Sequence, residues 1–309
     1  MSSERLNIVF MGTPEFASTC LEAILDSDHN VVGVVTAPDR QSGRGRKVSE
    51  SAVKKTALKH ALPLAQPEKL KAPEFHDILK LWGADLFVVV AFRMLPEVVW
   101  DMPSLGTYNL HASLLPQFRG AAPIQRAIMQ GAKESGATVF KLAHKIDTGN
   151  IISRVNLDIG PHENAGSLHD RILSSGSVLL VETLDKIAEG THEEIPQCDL
   201  IESDLLEAPK IFKEDRAINW NSTSIEIHNH VRGLSPYPAA FTSSYKILEG
   251  YPSDKKGLNP GQVCTLDGKI IVGTTDGSYE ITRLQPAGKS AMDSSAFIRG
   301  LRGEMESFA

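Results

Sequence analysis

The chain has 309 residues, of which 41% are apolar and 23% charged, and a formal net charge of −6; this is ordinary globular composition, with length for about two domains and a large core, and it excludes a fibrous or disordered chain. Cys20, Cys198 and Cys264 are few, odd in number and far apart, which argues against a disulfide framework and against a Cys-x-x-Cys metal or redox site. No run of about 18 apolar residues occurs and Met1-Ser-Ser-Glu-Arg5 lacks an apolar signal core, so the expectation is a soluble, cytoplasmic protein without a membrane partner.

Asn7 to Met11 reads as a short apolar strand closed by Gly12-Thr-Pro14, with Pro14 suited to the first turn of a helix. Glu15 to Leu25 follows with Phe16, Cys20, Leu21, Ile24 and Leu25 at helical spacing, and Val31 to Thr36 is an uninterrupted apolar strand of the kind covered on both faces. Strand, helix and strand in this order predict an α/β fold with a doubly wound, mostly parallel sheet. A Gly-x-Gly-x-x-Gly fingerprint is missing after the first strand, as is a P-loop, which weakens a reading as a nicotinamide enzyme.

Residues 37–47, Ala-Pro-Asp-Arg-Gln-Ser-Gly-Arg-Gly-Arg-Lys, read as a mobile loop with Arg40, Arg44, Arg46 and Lys47 following Asp39. On composition alone a solvated surface loop explains it as well as a phosphate-binding one. Ser49 to His60 reads as a helix with a Ser cap, Ala72 to Leu81 as a second helix, and Asp85 to Ala91 as the most β-patterned strand, leading into Phe92-Arg-Met-Leu-Pro96. Loops leaving the carboxyl ends of parallel strands are where such sheets place ligands.

Asn109 and His111 stand two apart in a segment bounded by Gly106 and Pro116, so on an extended backbone both side chains leave the same face. An amide and an imidazole together can donate to an oxygen that gains charge, and the imidazole can also move a proton, which suits acyl or formyl transfer. An isolated Asn-x-His pair is also compatible with a strand end bearing satisfied polar side chains. Gly120 to Gln130 reads as a helix with Pro123 in its first turn, and strands over 138–143 and 151–155 flank Asp147-Thr-Gly149. Alone, that turn is explained by local chemistry, Asp bonding its own backbone and Gly taking positive φ.

Asn164 to Glu189 reads as a long helix closing a first domain over 1–189, and 190–208 as a linker. Beyond it, Thr223 to Leu234 reads as a helix and 240–248, 262–266, 269–274 and 278–284 as short strands, with Asp267-Gly268 and Asp276-Gly277 as hairpin turns. This pattern predicts a small β-barrel over 209–309. Residues 210–309 hold 12 Lys/Arg against 11 Asp/Glu, leaving 20 against 27 in the rest, so the acidic excess lies in the first part. His228 and His230 lack nearby partner ligands and, two apart on a helix, point apart, so no metal site is expected.

Asn109-Leu-His-Ala-Ser-Leu-Leu-Pro116, Arg119-Gly-Ala-Ala-Pro-Ile-Gln125 and Ile146-Asp-Thr-Gly149 closely resemble the formyltransferases that use 10-formyltetrahydrofolate. The resemblance begins at Ile8 to Ala17, includes Pro38-Asp-Arg40 and Gly43-Arg-Gly45, and resumes at Ala208 to Lys213, Asn219-Trp-Asn221, Val231 to Pro236 and Leu284 to Gly288, which is similar to the methionyl-tRNA branch of that family. It implies an OB-like second domain holding tRNA, Asn109, His111 and Asp147 as catalytic residues, and Ser113, Leu114, Leu115 and Pro116 as folate contacts. It also implies that the basic loop, through Arg44 with Arg40, Arg46 and Lys47, meets initiator methionyl-tRNA, that folate is the formyl carrier without a metal, and that the enzyme is a monomer. In the family Tyr-Gly commonly stands where Phe92-Arg93 stands here, in a loop whose backbone receives the pterin ring; Ala112 also departs from the usual Pro or Gly. Formyltransferases of sugar-nucleotide amines or of glycinamide ribonucleotide, and a non-catalytic RNA-binding module on this scaffold, are the alternatives.

Overall fold

A computed structural model describes residues 5–42, 47–201, 204–301 and 307–308, with the side chains of 41, 42, 47 and 48 outside the description. Two compact units are interleaved in sequence: 1–119, 136–157 and 171–206 form one, and 120–135, 158–170 and 207–309 the other.

The first unit is built on a seven-stranded sheet. Its elements in chain order are β1 (Asn7–Gly12), α1 (Glu15–Leu25), β2 (Asn30–Val35), β3 (Arg40–Ser42), β4 (Lys47–Ser49), α2 (Ala52–Lys59), β5 (Leu64–Ala65), α3 (Pro73–Trp82), β6 (Leu86–Val90), α4 (Glu97–Trp100) and β7 (Thr107–His111). After α5 (Pro123–Met129) come β8 (Glu134–Lys141), β9 (Ile151–Asp158) and α6 (Ala165–Ala188). The strand order is β5-β2-β1-β6-β7-β8-β9, parallel from β5 to β7, with β8 antiparallel to β7. Side chains alternate along β1. Val9 and Met11 join Phe75 and Leu79 of α3 in one core, which leaves Ile8 and Phe10, both fully buried, on the opposite face. Burial on both faces is what the unbroken apolar strands encode. At Gly33 of β2 a Cβ would come within 2.2 Å of the Trp82 ring at the end of α3, so only glycine lets that ring lie on the strand.

Residues 40–42 and 47–49 are not plain loop: β3 pairs antiparallel with β4, Arg40 opposite Ser49. The chain just before β3 is pinned by Asp39, which pairs with Lys54 of α2 and accepts from Gln66 Nε2 at 2.9 Å. Ser49 therefore lies in β4, and the helix cap is Ser51, whose Oγ accepts from the Lys54 N–H. Arg44 and Arg46 lie outside the described residues, Arg40 is exposed, and of Lys47 only the backbone is described.

The second unit contains α5, then α7 (Ser224–Leu234) and an antiparallel sheet of β10 (Ala240–Thr242), β11 (Tyr245–Ser253), β12 (Val263–Leu266), β13 (Lys269–Gly273), β14 (Ser278–Pro286) and β15 (Met292–Asp293), followed by α8 (Ser294–Arg299). The order is β10-β11-β14-β13-β12, with β15 on β14. The single strand expected over 240–248 is a tight hairpin, because Ser243 turns the chain at φ 46°. Asp267 and Gly268, both at positive φ, make the two-residue turn expected between β12 and β13. Thr223 and Glu226 form a reciprocal capping box at the start of α7. Trp220, Tyr279, Ile247, Ile270 and Leu284 are among the core residues.

His228 and His230 are both absorbed by this unit rather than exposed as a ligand pair. His228 Nδ1 lies 3.1 Å from the Gly250 carbonyl and Nε2 3.2 Å from that of Pro161. Burial holds both imidazoles below their ordinary pKa, opposed at His228 by those carbonyls and at His230 by the Arg216 backbone. The unfolded chain then takes up protons first, near the ordinary value of about 6.5. Stability from these groups is present above that value and lost as pH falls through the lowered folded values. The urea midpoint is expected to drop between about pH 7.5 and about pH 5.5, and His228→Gln should flatten that slope.

Candidate active site

β7 carries the centre of the site. Asn109 pairs with Val89 on one side and Phe140 on the other, and His111 with Thr138, so the backbone of both residues is fixed in mid-sheet. Thr107, Asn109 and His111 share one face, as the spacing predicts. The other face is closed by α6, where Gly176 lets the helix approach Leu110 and Ala137.

His111 is 8% exposed and stands edge-on to Phe140, ring centroids 6.5 Å apart. Its Nε2 lies 2.9 Å from the Phe118 carbonyl oxygen. A carbonyl can only accept, so Nε2 carries the hydrogen and donates, and Nδ1 is the nitrogen left for chemistry. Nδ1 faces Asp147 Oδ2 at 3.9 Å, too long for a direct hydrogen bond and short enough for an ion pair once the ring is protonated. The backbone carbonyl of Phe118, rather than Asp147, is what orients the imidazole. Phe118 itself is buried at φ 59°, a conformation that a bulky side chain adopts only when its surroundings enforce it. Its N–H donates to the Leu206 carbonyl at 2.7 Å.

The Asp147-Thr-Gly149 turn differs from the expected one. Asp147 takes the positive φ, 53°, and Gly149 does not. The glycine is needed for space: a Cβ there would lie 1.7 Å from the Lys141 carbonyl oxygen. The turn therefore sits flat against the end of β8.

Of the four residues expected to meet folate, Ser113, Leu115 and Pro116 are buried and Leu114 is half-buried. Ser113 Oγ donates to the Gln117 carbonyl, and Thr138 Oγ1 donates to the Ser113 carbonyl and accepts from the Leu115 N–H. Arg154 also donates to the Leu115 carbonyl at 3.2 Å. These bonds set the shape of the 113–118 loop. At the end of β6, Arg93 donates to the carbonyls of Pro67 and Glu68, its guanidinium 5.6 Å from the Phe92 ring centroid. Its charge is thus spent on the neighbouring loop. No group of three or more His, Cys, Asp or Glu able to hold a metal occurs among the described residues.

Arg119 and Gln197 have no role in the reading of the sequence. Gln197 accepts from Arg119 and donates to the carbonyls of Asp147 and Gly149. Its only sequence signal is an amide after Pro196 in a stretch read as a linker, which by itself indicates nothing.

The formyl transferase family matches residues 6–184 and its C-terminal domain residues 210–302, which makes the chain a formyl-transferring enzyme. Methionyl-tRNA formyltransferase of Bacteroides fragilis is 46% identical over 313 aligned positions, covering 97% of this chain and 96% of that protein. The chain belongs to the methionyl-tRNA formyltransferase family. Two solved structures share the fold. The N-formyltransferase of Helicobacter canadensis, in complex with folinic acid and dTDP-3-aminofucose, has a TM-score of 0.66 at 21% identity over 89% of this chain and 98% of that one. HypX of Aquifex aeolicus in complex with tetrahydrofolic acid has a TM-score of 0.64 at 18% identity; the match covers 95% of this chain and 47% of HypX, so the chain spans about half its length.

Proposed function

We propose that the enzyme transfers the formyl group of 10-formyltetrahydrofolate to the α-amine of initiator methionyl-tRNA, with Asn109, His111 and Asp147 as its catalytic residues. The observation that carries this reading is the convergence of an amide and an imidazole on one strand face with a carboxylate 3.9 Å from the free ring nitrogen. The full-length identity to methionyl-tRNA formyltransferases supports the choice of substrate.

The attacking α-amine has a free pKa of about 7.7–8.0 and reacts as the neutral form. Its lone pair adds to the formyl carbon while the carbonyl electrons move onto oxygen. The Asn109 amide and protonated His111 Nδ1 are the donors available to that oxyanion. Asp147 takes the proton lost by the new ammonium, directly or through water. Collapse returns the electrons, breaks the bond to N10 of the folate, and leaves that nitrogen to be protonated. Among the described residues no Ser or Cys paired with a base adjoins the centre, so direct transfer suffices without a formyl-enzyme.

Ser113, Leu114, Leu115 and Pro116 are assigned to the folate pocket. Because three of these side chains are buried, Leu114 is the side chain of the segment available to the folate. The basic stretch that includes β3 and β4 is assigned to tRNA, with Arg44 foremost and Arg40, Arg46 and Lys47 beside it; arginine forks suit phosphates, and the Asp39–Lys54 pair fixes the chain just before β3. A catalytic domain over 1–189 and a tRNA-binding domain over 209–309 are part of the proposal, supported by the two family matches; the stretch between them, read as a linker over 190–208, groups with the first unit as far as residue 206. No helix is long and apolar enough to cross a membrane among the described residues; a cytoplasmic monomer is part of the proposal.

The test is transfer of labelled formyl from 10-formyltetrahydrofolate, offered side by side to initiator methionyl-tRNA, uncharged tRNA and an amino-sugar nucleotide. Label on the aminoacyl-tRNA alone is the expected result. Label on the sugar and none on the tRNA would overturn the substrate.

A further inference from the structure

We propose that Gln197 is a positioning residue for formyl transfer, clamping the turn that holds His111 to the turn that presents Asp147. The proposal rests on the catalytic reading of those two residues.

Gln197 opens a short 3-10 turn, Gln197–Leu200, and is 3% exposed. Its Oε1 accepts from Arg119 Nε at 3.0 Å and Nη2 at 2.6 Å, while its Nε2 donates to the Asp147 carbonyl at 2.9 Å and the Gly149 carbonyl at 2.8 Å. Both lone pairs and both hydrogens of the amide are engaged, and the guanidinium at one end fixes which end is oxygen. A carboxylate at this position can satisfy Arg119 but cannot donate to the two carbonyls. An apolar side chain of similar length satisfies neither.

The two bonded turns are the two halves of the site. Arg119 follows Phe118, whose carbonyl orients His111; Asp147 and Gly149 bracket the turn of the carboxylate. They come from different parts of the chain, and Gln197 bonds to both with one side chain. Flanking backbone bonds fix the clamp itself: Ile195 exchanges two 2.8 Å hydrogen bonds with Ile151, and the Leu206 carbonyl accepts from Phe118 N–H. Ile195, Gln197 and Leu206, in the stretch read from sequence as a spacer, are therefore bonded into the first unit, and one buried amide reaches both turns. Positional error of about 1 Å at reacting groups lowers rate by about 10²-fold, so a clamp of this kind acts on kcat rather than on substrate affinity.

The experiment compares Gln197→Met, Gln197→Glu and Asp147→Asn in the full-length enzyme with folate donor and methionyl-tRNA, reading kcat, both KM values, the pH dependence of kcat and the thermal midpoint. Gln197→Met is expected to lower kcat by about 10- to 100-fold and to displace the pH–kcat curve, with both KM values within about threefold of wild type. Gln197→Glu, which keeps the Arg119 pairing and loses both donations to the Asp147 turn, should show the same displaced curve with a smaller loss of thermal midpoint. It serves as the readout if the methionine variant does not fold. Unchanged kcat in the folded variants, or a lowered kcat with an unmoved pH profile, would overturn the proposal and leave Gln197 a structural residue. If Asp147→Asn is severely impaired while the Gln197 variants are not, the clamp alone is wrong; if Asp147→Asn turns over normally, the catalytic reading beneath it is wrong.

Discussion

Asn109→Ala is expected to lower kcat for formyl transfer by about 10²- to 10³-fold, roughly 2.7–4 kcal/mol of barrier, while leaving the unfolding midpoint near that of wild type. The reasoning is local. Asn109 is half-buried in mid-sheet, and its amide makes no hydrogen bond to another described group, so truncation strands no buried partner. What is removed is a donor held ready before charge develops on the formyl oxygen. Its loss acts on the transition state more than on either substrate, so KM for folate and tRNA should change little. A kcat within about threefold of wild type would place the oxyanion away from this amide.

Trp220→Ala is expected to destabilise the second unit by roughly 3–5 kcal/mol. Trp220 is 4% exposed, stacks on Phe308 with ring centroids 5.9 Å apart, leans on Tyr279, and donates Nε1–H to Thr242 Oγ1 at 3.0 Å. Truncation opens a cavity among these rings and leaves the buried Thr242 hydroxyl without its donor. Far-UV circular dichroism during urea unfolding gives the shift in midpoint. The remaining tryptophans, Trp82 and Trp100, both lie in the first unit, so fluorescence of the variant reports that unit separately. A change under about 1 kcal/mol would mean that the ring is not a core residue.

The parts of this molecule legible in the sequence are those encoded by short-range pattern. The apolar strands β1, β2 and β6, the helical spacing of α1 and the Asp267-Gly268 turn each depend on neighbours within a few residues, and they stand as read. Asn109 and His111 were readable as a pair because the strand period puts them on one face. What escaped depends on distant chain. Arg40 to Ser42 and Lys47 to Ser49 pair as β3 and β4 in a stretch whose composition says only loop. Asp147 rather than Gly149 takes the left-handed conformation, and Gly149 is required instead because the Lys141 carbonyl lies where its Cβ would be, a contact no turn rule contains. Phe118 acts through its backbone, which side-chain identity does not reveal, and Gln197 reaches its three partners only after the chain has returned from α6.

The most direct measurement of the central claim is the rate constant of a single turnover, followed by rapid quench with saturating folate donor and methionyl-tRNA, for wild type and Asp147→Asn. If Asn109, His111 and Asp147 form the transfer centre, the substitution should slow the chemical step by about 10²- to 10⁴-fold with both substrates still bound. A chemical step as fast as wild type in a folded Asp147→Asn enzyme would contradict it.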